Sequence, residues 1–176
     1  MSDEARYPIG RSKLERDLSP ERRRELIDQV AASPGLFREA VKDLSGVQLD
    51  TPYRLGGWTV RQLIHHLADS HLNAYVRFKL TLSEDQPTIK PYDEERWAEL
   101  ADTPATPPRV SLDLLSFLHE RWVILLRSLS DEQWKKAYYH PEQERLFTLD
   151  EALCMYAWHG AHHTAHVTKL RERMGW

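Results

Sequence analysis

Apolar residues recur at intervals of three and four along three long stretches of this chain. Val60, Leu63, Ile64, Leu67, Ala74, Tyr75 and Phe78 make one stripe. Leu112, Leu115, Leu118, Trp122, Leu125, Leu126 and Leu129 make a second, and Leu149, Ala152, Leu153, Tyr156, Gly160, Val167 and Leu170 a third. That spacing puts each set on one face of an α-helix. No alternation of apolar and polar residues favours a strand. Start signals agree with the stripes. Thr59 with Gln62 and Thr148 with Glu151 are capping boxes, in which each side chain satisfies a free backbone donor at the helix end. Ser19-Pro20-Glu21 reads as a further start, with serine as N-cap and proline at the first helical position.

Four long helices follow. The first is expected from Pro20 to about Ser45, with a kink or break at Ser33-Pro34-Gly35 because proline removes a backbone hydrogen bond. The second should run from Val60 to about Leu82, the third from a cap at Ser111, and the last from Thr148 to near Met174-Gly175. Ser130-Asp131-Glu132-Gln133 predicts a short extra turn, and residues 135–147 read as irregular. Residues 1–18 form a polar arm without visible chemistry. Residues 84–110 hold Pro87, Pro91, Pro104, Pro107 and Pro108 and form a long crossover between helices 2 and 3, which lets those helices run parallel. The expected architecture is a single all-α domain over residues 1–176, a four-helix bundle.

The 176 residues carry a net charge of −3, so the chain lacks the basic footprint of a nucleic-acid binder. One cysteine excludes an internal disulfide. No apolar run approaches the roughly 18 residues of a membrane span, and Met1-Ser2-Asp3-Glu4-Ala5-Arg6 lacks the apolar core of a signal peptide. A cytoplasmic protein with a small-molecule substrate, neither DNA-binding nor membrane-bound, is expected.

The chemistry concentrates in nine histidines. Four stand in Trp158-His159-Gly160-Ala161-His162-His163-Thr164-Ala165-His166, and three in His65-His66-Leu67-Ala68-Asp69-Ser70-His71. Residues four apart on a helix face one another at roughly 5–6 Å, so His159 with His163, or His162 with His166, can grip one ion. On a wheel of about 100° per residue His163 lies inside the apolar arc and His159 at its edge, whereas His162 lies roughly 110° from its centre. The first pair therefore aims inward. A third imidazole is needed, and periodicity on the second helix selects His71, at the centre of the stripe, over the flanking His66. A lone buried histidine is more often a hydrogen-bonded core residue, which is the plainer reading of His71. His119 and His140 are isolated in sequence and read as structural or exposed. Of six tryptophans, Trp58 and Trp158 are the candidates for a pocket wall.

Gly56-Gly57-Trp58-Thr59-Val60-Arg61-Gln62-Leu63-Ile64-His65-His66-Leu67-Ala68-Asp69-Ser70-His71 resembles the YfiT family, within the DinB superfamily. The likeness continues through Asn73–Lys79, Lys90-Pro91-Tyr92-Asp93-Glu94, Tyr139-His140-Pro141 and the last histidine stretch. It implies an up-down-down-up bundle of DinB/YfiT type, a homodimer, and one divalent ion per subunit held by His66, His159 and His163. Zinc is expected ahead of nickel. Members of that family are labelled metal-dependent hydrolases from their metal site, while superfamily relatives resemble S-transferases that use bacillithiol-like thiols. As a hydrolase, the site would lower the pKa of a water towards 7 and cleave an ester or amide, with Asp69, His65 or His162 as the nearby acid or base. As a thiol S-transferase it would bind a low-molecular-weight thiol as thiolate. Arg61 and Arg77 would anchor that cosubstrate. The absence of an evident base favours thiol transfer, and a non-catalytic metal clamp is the third reading.

Overall fold

The computed structural model describes residues 3–176; the first two residues of the expected N-terminal arm lie outside it. Four long helices dominate: α1 (Pro20–Val41), α2 (Val60–Ser83), α3 (Pro108–Arg127) and α4 (Leu149–Met174). The sequence signals explain most ends. Ser19 accepts from the Arg22 amide with Pro20 at the first position, and both Thr59/Gln62 and Thr148/Glu151 form complete capping boxes. Gly175 ends α4 with φ 69°, a left-handed conformation that costs glycine little.

Side-chain contacts fix the directions. Arg23 near the start of α1 holds Asp150 at the start of α4, and Arg171 near the end of α4 donates to the Ala40 carbonyl near the end of α1, so these helices are parallel. His65 meets Ser111 and His71 meets His119, so α2 and α3 are parallel too. Arg38 pairs with Asp113 and Arg77 with Tyr156, which sets α1 against α3 and α2 against α4. The result is the up-down-down-up bundle, with α1 and α2 on one diagonal and α3 and α4 on the other. Parallel α2 and α3 need the crossover, whose two single-turn helices are Glu94–Trp97 and Asp102–Ala105. It is tied down where Gln62 donates to the Ala98 carbonyl.

The apolar stripes close over two clusters. One, around Phe78, Trp122, Trp134, Phe147 and Leu153, fills the end where α1 and α4 begin. The other, around Phe37, Leu63, Leu67, Leu115 and Val167, fills the opposite end. The histidines lie between them.

The structure corrects four expectations. Helix α1 ends at Val41, not Ser45; Ser45 instead caps the separate turn Gly46–Leu49. The helix assignment continues through Pro34, which sits buried inside α1. Ser111 is not the cap of α3, which opens three residues earlier at Pro108, because proline already supplies a helical φ there. Residues 135–147 are not all irregular: β1 (Ala137–His140) pairs antiparallel with β2 (Arg145–Thr148). Strands of four residues are too short to show an alternation, and the turn uses Glu144 at φ 50° in place of a signalling glycine. Tyr138 and Phe147 face each other inside the hairpin, and Tyr139 hydrogen-bonds Pro87 and Ile89 of the crossover.

Candidate metal centre

The i, i+4 geometry of α4 brings His159 and His163 together with their Nε2 atoms 3.0 Å apart. From α2, which runs antiparallel to α4, His66 presents its ring at 5.5 Å from that of His159 and 5.1 Å from that of His163, between centroids. One nitrogen from each of the three lies within 4.8 Å of the others. Two nitrogens bound at about 2.0–2.1 Å to one ion, at an angle of about 90° to 109°, stand about 2.9–3.4 Å apart. The His159–His163 separation is that of two ligands on one centre. Burial keeps all three rings uncharged: it pulls the pKa of His66 down to about 4 and those of His159 and His163 well below the usual imidazole value. Neutral imidazole is the form that binds a metal. The donor set therefore fits a divalent ion with coordination positions to spare.

A second group overlaps the first. His162, His163 and His166 also bring one nitrogen each within 4.8 Å, and the Nε2 atoms of His162 and His166 are 3.1 Å apart. The wheel placed His162 away from the bundle axis, yet both it and His166 are buried. The wheel sees only the other helices. Tyr7, from the arm, lies 6.1 Å from His162, Trp158 stacks on His162 at 4.2 Å, and Tyr53, from the loop before α2, covers His166 at 4.2 Å.

These segments also wall a cleft of about 320 Å³ over the histidines. Its lining includes Arg6 and Tyr7 of the arm, Arg54 and Trp58 of the loop, and Glu94 and Glu95 of the crossover. Trp58 lies 4.5 Å from the His66 ring and Trp158 reaches back to donate to the Gly10 carbonyl. The arm is thus part of the site, not a featureless extension. Proline and glycine punctuation marked these stretches as connectors, and nothing in their sequence said that they fold over the histidines.

Several expected site residues sit elsewhere. His65 faces α3, its Nδ1 2.8 Å from Ser111, and Asp69 on the same side of α2 feels Asp102 of the crossover; burial and that neighbour push its carboxyl up to about 6. Neither lines the cleft. Arg61 is held by Asp50 at 2.7 Å, outside the cleft. Arg77 donates to the Tyr156 hydroxyl on the inner face of α4 and also does not line it. His162 does line it. His71 is fully buried and touches His159 instead of the cleft, its Nε2 3.0 Å from the His159 Nδ1. The structure puts His66, and not His71, beside both histidines of the inward pair.

The sequence profile of the DinB superfamily matches residues 29–167. A Bacillus subtilis (strain 168) protein provisionally named metal-dependent hydrolase YfiT is 51% identical over 170 residues, 97% of this chain and 96% of its own length. A Bacillus cereus (strain B4264) protein with the same kind of provisional name is 51% identical over 174 residues, 99% of each chain. The solved structure of YfiT from Bacillus subtilis, described as having an unusual four-helix bundle topology, superimposes with a TM-score of 0.96 over 98% of this chain and 99% of that one, at 50% identity. A mycothiol-dependent maleylpyruvate isomerase shares the fold at a TM-score of 0.67 and 17% identity, over 86% of this chain and 61% of that one. By profile, by sequence shared from end to end and by bundle topology, the chain belongs to the DinB superfamily.

Proposed function

We propose that this protein is a metal-dependent enzyme that transfers a low-molecular-weight thiol to an electrophilic small molecule, with His66, His159 and His163 as the ligands of one divalent ion, zinc ahead of nickel. The observation that carries the reading is the make-up of the cleft. Its lining brings together five imidazoles, those of His66, His159 and His163 among them, two guanidiniums, Arg6 and Arg54, and two carboxylates, Glu94 and Glu95. A small thiol that bears both carboxylates and an amine matches this mixed lining. Bound there, a divalent ion would supply Lewis acidity that lowers the pKa of a thiol or a water.

The chain's own residues do the rest. Arg6 and Arg54 would orient the anionic end of the thiol, Trp58 and Trp158 would exclude water, and neutral ligands would leave the positive charge of the ion uncompensated. In the reaction the thiol would lose its proton to solvent, a carbon–sulfur bond would form, and the leaving group would depart with its bonding pair. Arg61 and Arg77 are replaced as anchors in this proposal, since neither lines the cleft.

Hydrolysis is the second reading, and one observation favours it. The base that the sequence did not reveal has candidates in Glu94 and Glu95, which line the same cleft. Partial desolvation of its carboxyl, with Glu142, Glu95 and Asp93 nearby, raises the pKa of Glu94, although the residue is exposed, and makes it a better proton acceptor. The names carried by the Bacillus relatives agree with this chemistry. To decide, zinc-loaded protein is assayed with glutathione or cysteine plus a bimane electrophile, beside a panel of esters and amides. Thiol consumption that requires zinc supports transfer. Ester or amide cleavage that ignores added thiol and drops about 10²- to 10⁴-fold in Glu94→Gln would overturn it.

A further inference from the structure

Proline 34 leaves a carbonyl without its helical partner. Residue i normally donates its amide to the carbonyl of residue i−4, and Pro34, inside α1, has no N–H to give to Val30. The Val30 oxygen is instead 2.8 Å from Nδ1 of His119, on α3. A carbonyl can only accept, so His119 carries its proton on Nδ1. Next in line, His119 Nε2 is 2.7 Å from His71 Nδ1, and the two rings lie edge to edge with planes only 18° apart. After that, His71 Nε2 is 3.0 Å from His159 Nδ1.

From these contacts we infer that Val30, His119 and His71 form a one-directional hydrogen-bond relay that fixes the tautomer of His159 and so presents its Nε2 lone pair to the metal. Each link follows from the one before. With the proton of His119 on Nδ1, its Nε2 is an acceptor, so His71 must donate from Nδ1. The His71 Nε2 is then an acceptor, so His159 must donate from Nδ1. Its Nε2, 3.0 Å from His163 Nε2, is left with a bare lone pair pointing into the ligand group. Reversing any one link would leave two donors or two acceptors facing each other at hydrogen-bond distance.

The surroundings favour a fixed relay. His71 is fully enclosed and His119 nearly so. Trp122 stands edge-on to both rings, at 6.0 and 5.6 Å, and Tyr156 closes the far side of His71 at 5.4 Å. Water cannot enter to swap a proton between ring nitrogens, and in that dry setting a broken link is costly. Ligating histidines commonly give their second N–H to a carboxylate or carbonyl. Here the carbonyl stands two imidazoles away. His71 and His119 are thus positioning residues for the ion, since neither lines the cleft.

The inference rests on His159 being a ligand, and the test separates the two claims. Long-range ¹H–¹⁵N spectra of the metal-free wild type report the His159 tautomer without any ion; the expected state is Nδ1–H for His159, His71 and His119 alike. Zinc affinity by chelator competition is then compared in His71→Leu, which offers no acceptor, and His71→Gln, whose amide oxygen can take the place of Nε2. Expected is a 10- to 100-fold loss in the leucine variant and recovery to within about threefold in the glutamine variant. His119→Gln, which keeps an acceptor for His71, serves if His71→Leu does not fold, and should bind zinc within about threefold of wild type. Nε2–H on His159 in the wild type, wild-type affinity in His71→Leu, or equal losses in His71→Leu and His71→Gln would each overturn the relay. If the wild type shows the expected tautomers yet zinc does not perturb His66, His159 and His163, the metal-site reading fails and the relay stands.

Discussion

The pairs His159/His163 and His162/His166 are the same i, i+4 arrangement on one helix, three positions apart, and their Nε2–Nε2 distances of 3.0 and 3.1 Å are nearly equal. Their backgrounds differ. Behind the first stand His66 from α2 and His71, which accepts a hydrogen bond from His159. Against the second stand two aromatic faces, Trp158 and Tyr53, which pack on the rings without fixing where a proton resides. Among the described residues Nδ1 of His162 is buried with no hydrogen-bond partner, and so is Nδ1 of His163, so that of the four rings only His159 is tied to a neighbouring helix through its Nδ1. Helical spacing thus makes a pair that could bind a metal, and the neighbouring helices decide which pair gains a candidate ligand from a second helix and a set tautomer.

The largest effect expected from breaking this contrast is on metal content. His66→Ala removes one of the two candidate ligands that belong to the first group alone and should lower zinc affinity more than about 100-fold, above the range for losing an outer partner. His163→Ala, common to both groups, should do at least as much. Both variants should keep wild-type helical circular dichroism, because the apolar stripes and not the ion hold the bundle. If His66→Ala still binds one equivalent of zinc tightly while His166→Ala does not, the two pairs have been assigned the wrong way round.

Acid should come next. Burial holds His66, His119 and His162 down to about 4 and His166 to about 3, so below the ordinary value of 6.5 the unfolded chain takes protons that the folded one refuses. The cost is absent above about pH 6.5 and grows as the pH falls towards 4. Urea midpoints of metal-free protein should therefore drop steadily between pH 7 and pH 5, and a flat profile would mean that these rings titrate normally.

A smaller change is expected at the second pair. His166→Ala should leave zinc affinity within about threefold while costing about 1 kcal/mol for the lost contact with Tyr53, seen as a shift in the urea midpoint. Similar in size is the effect expected of Gly160→Ala, between the two pairs. A Cβ there would meet Ser33 Oγ, and Ser33 Cβ at 3.0 Å, where α1 and α4 approach. Overpacking costs about 1–3 kcal/mol and the better helix propensity of alanine returns about 1. The net loss of about 1 kcal/mol should lower the melting temperature by about 2–4 °C; a variant more stable than its parent would show that the contact has slack.

Much of the bundle was legible because helices carry a period. The stripe from Val60 to Phe78 and the capping boxes at Thr59 and Thr148 located α2 and α4 to within a residue or so. Spacing and the apolar arc also chose His159 and His163. On α2 the same wheel pointed to His71, and in one sense it was right: His71 is the most buried histidine there. Burial and ligation are different properties, and it was the family likeness, not periodicity, that named His66. The relay was hidden for a related reason. His119 looked isolated in sequence, and its partner is a backbone oxygen on another helix, freed by a proline that read only as a helix breaker. Cleft residues such as Arg6, Arg54 and Glu94 were illegible because connectors have no period from which to infer a facing surface.

The division between helices and connectors has an evolutionary consequence. Every imidazole of the candidate centre sits on a long helix locked into the core, whereas Arg6, Arg54, Glu94 and Glu95 hang from segments that join or precede those helices. Loops tolerate substitution and insertion far better than packed helices do. Lineages can therefore exchange the cleft's rim, and with it the compounds admitted, while inheriting the ion-binding frame unchanged. A single ancestral bundle could diversify its chemistry by rewriting the arm, one loop and the crossover, without repacking a core residue or moving a candidate ligand.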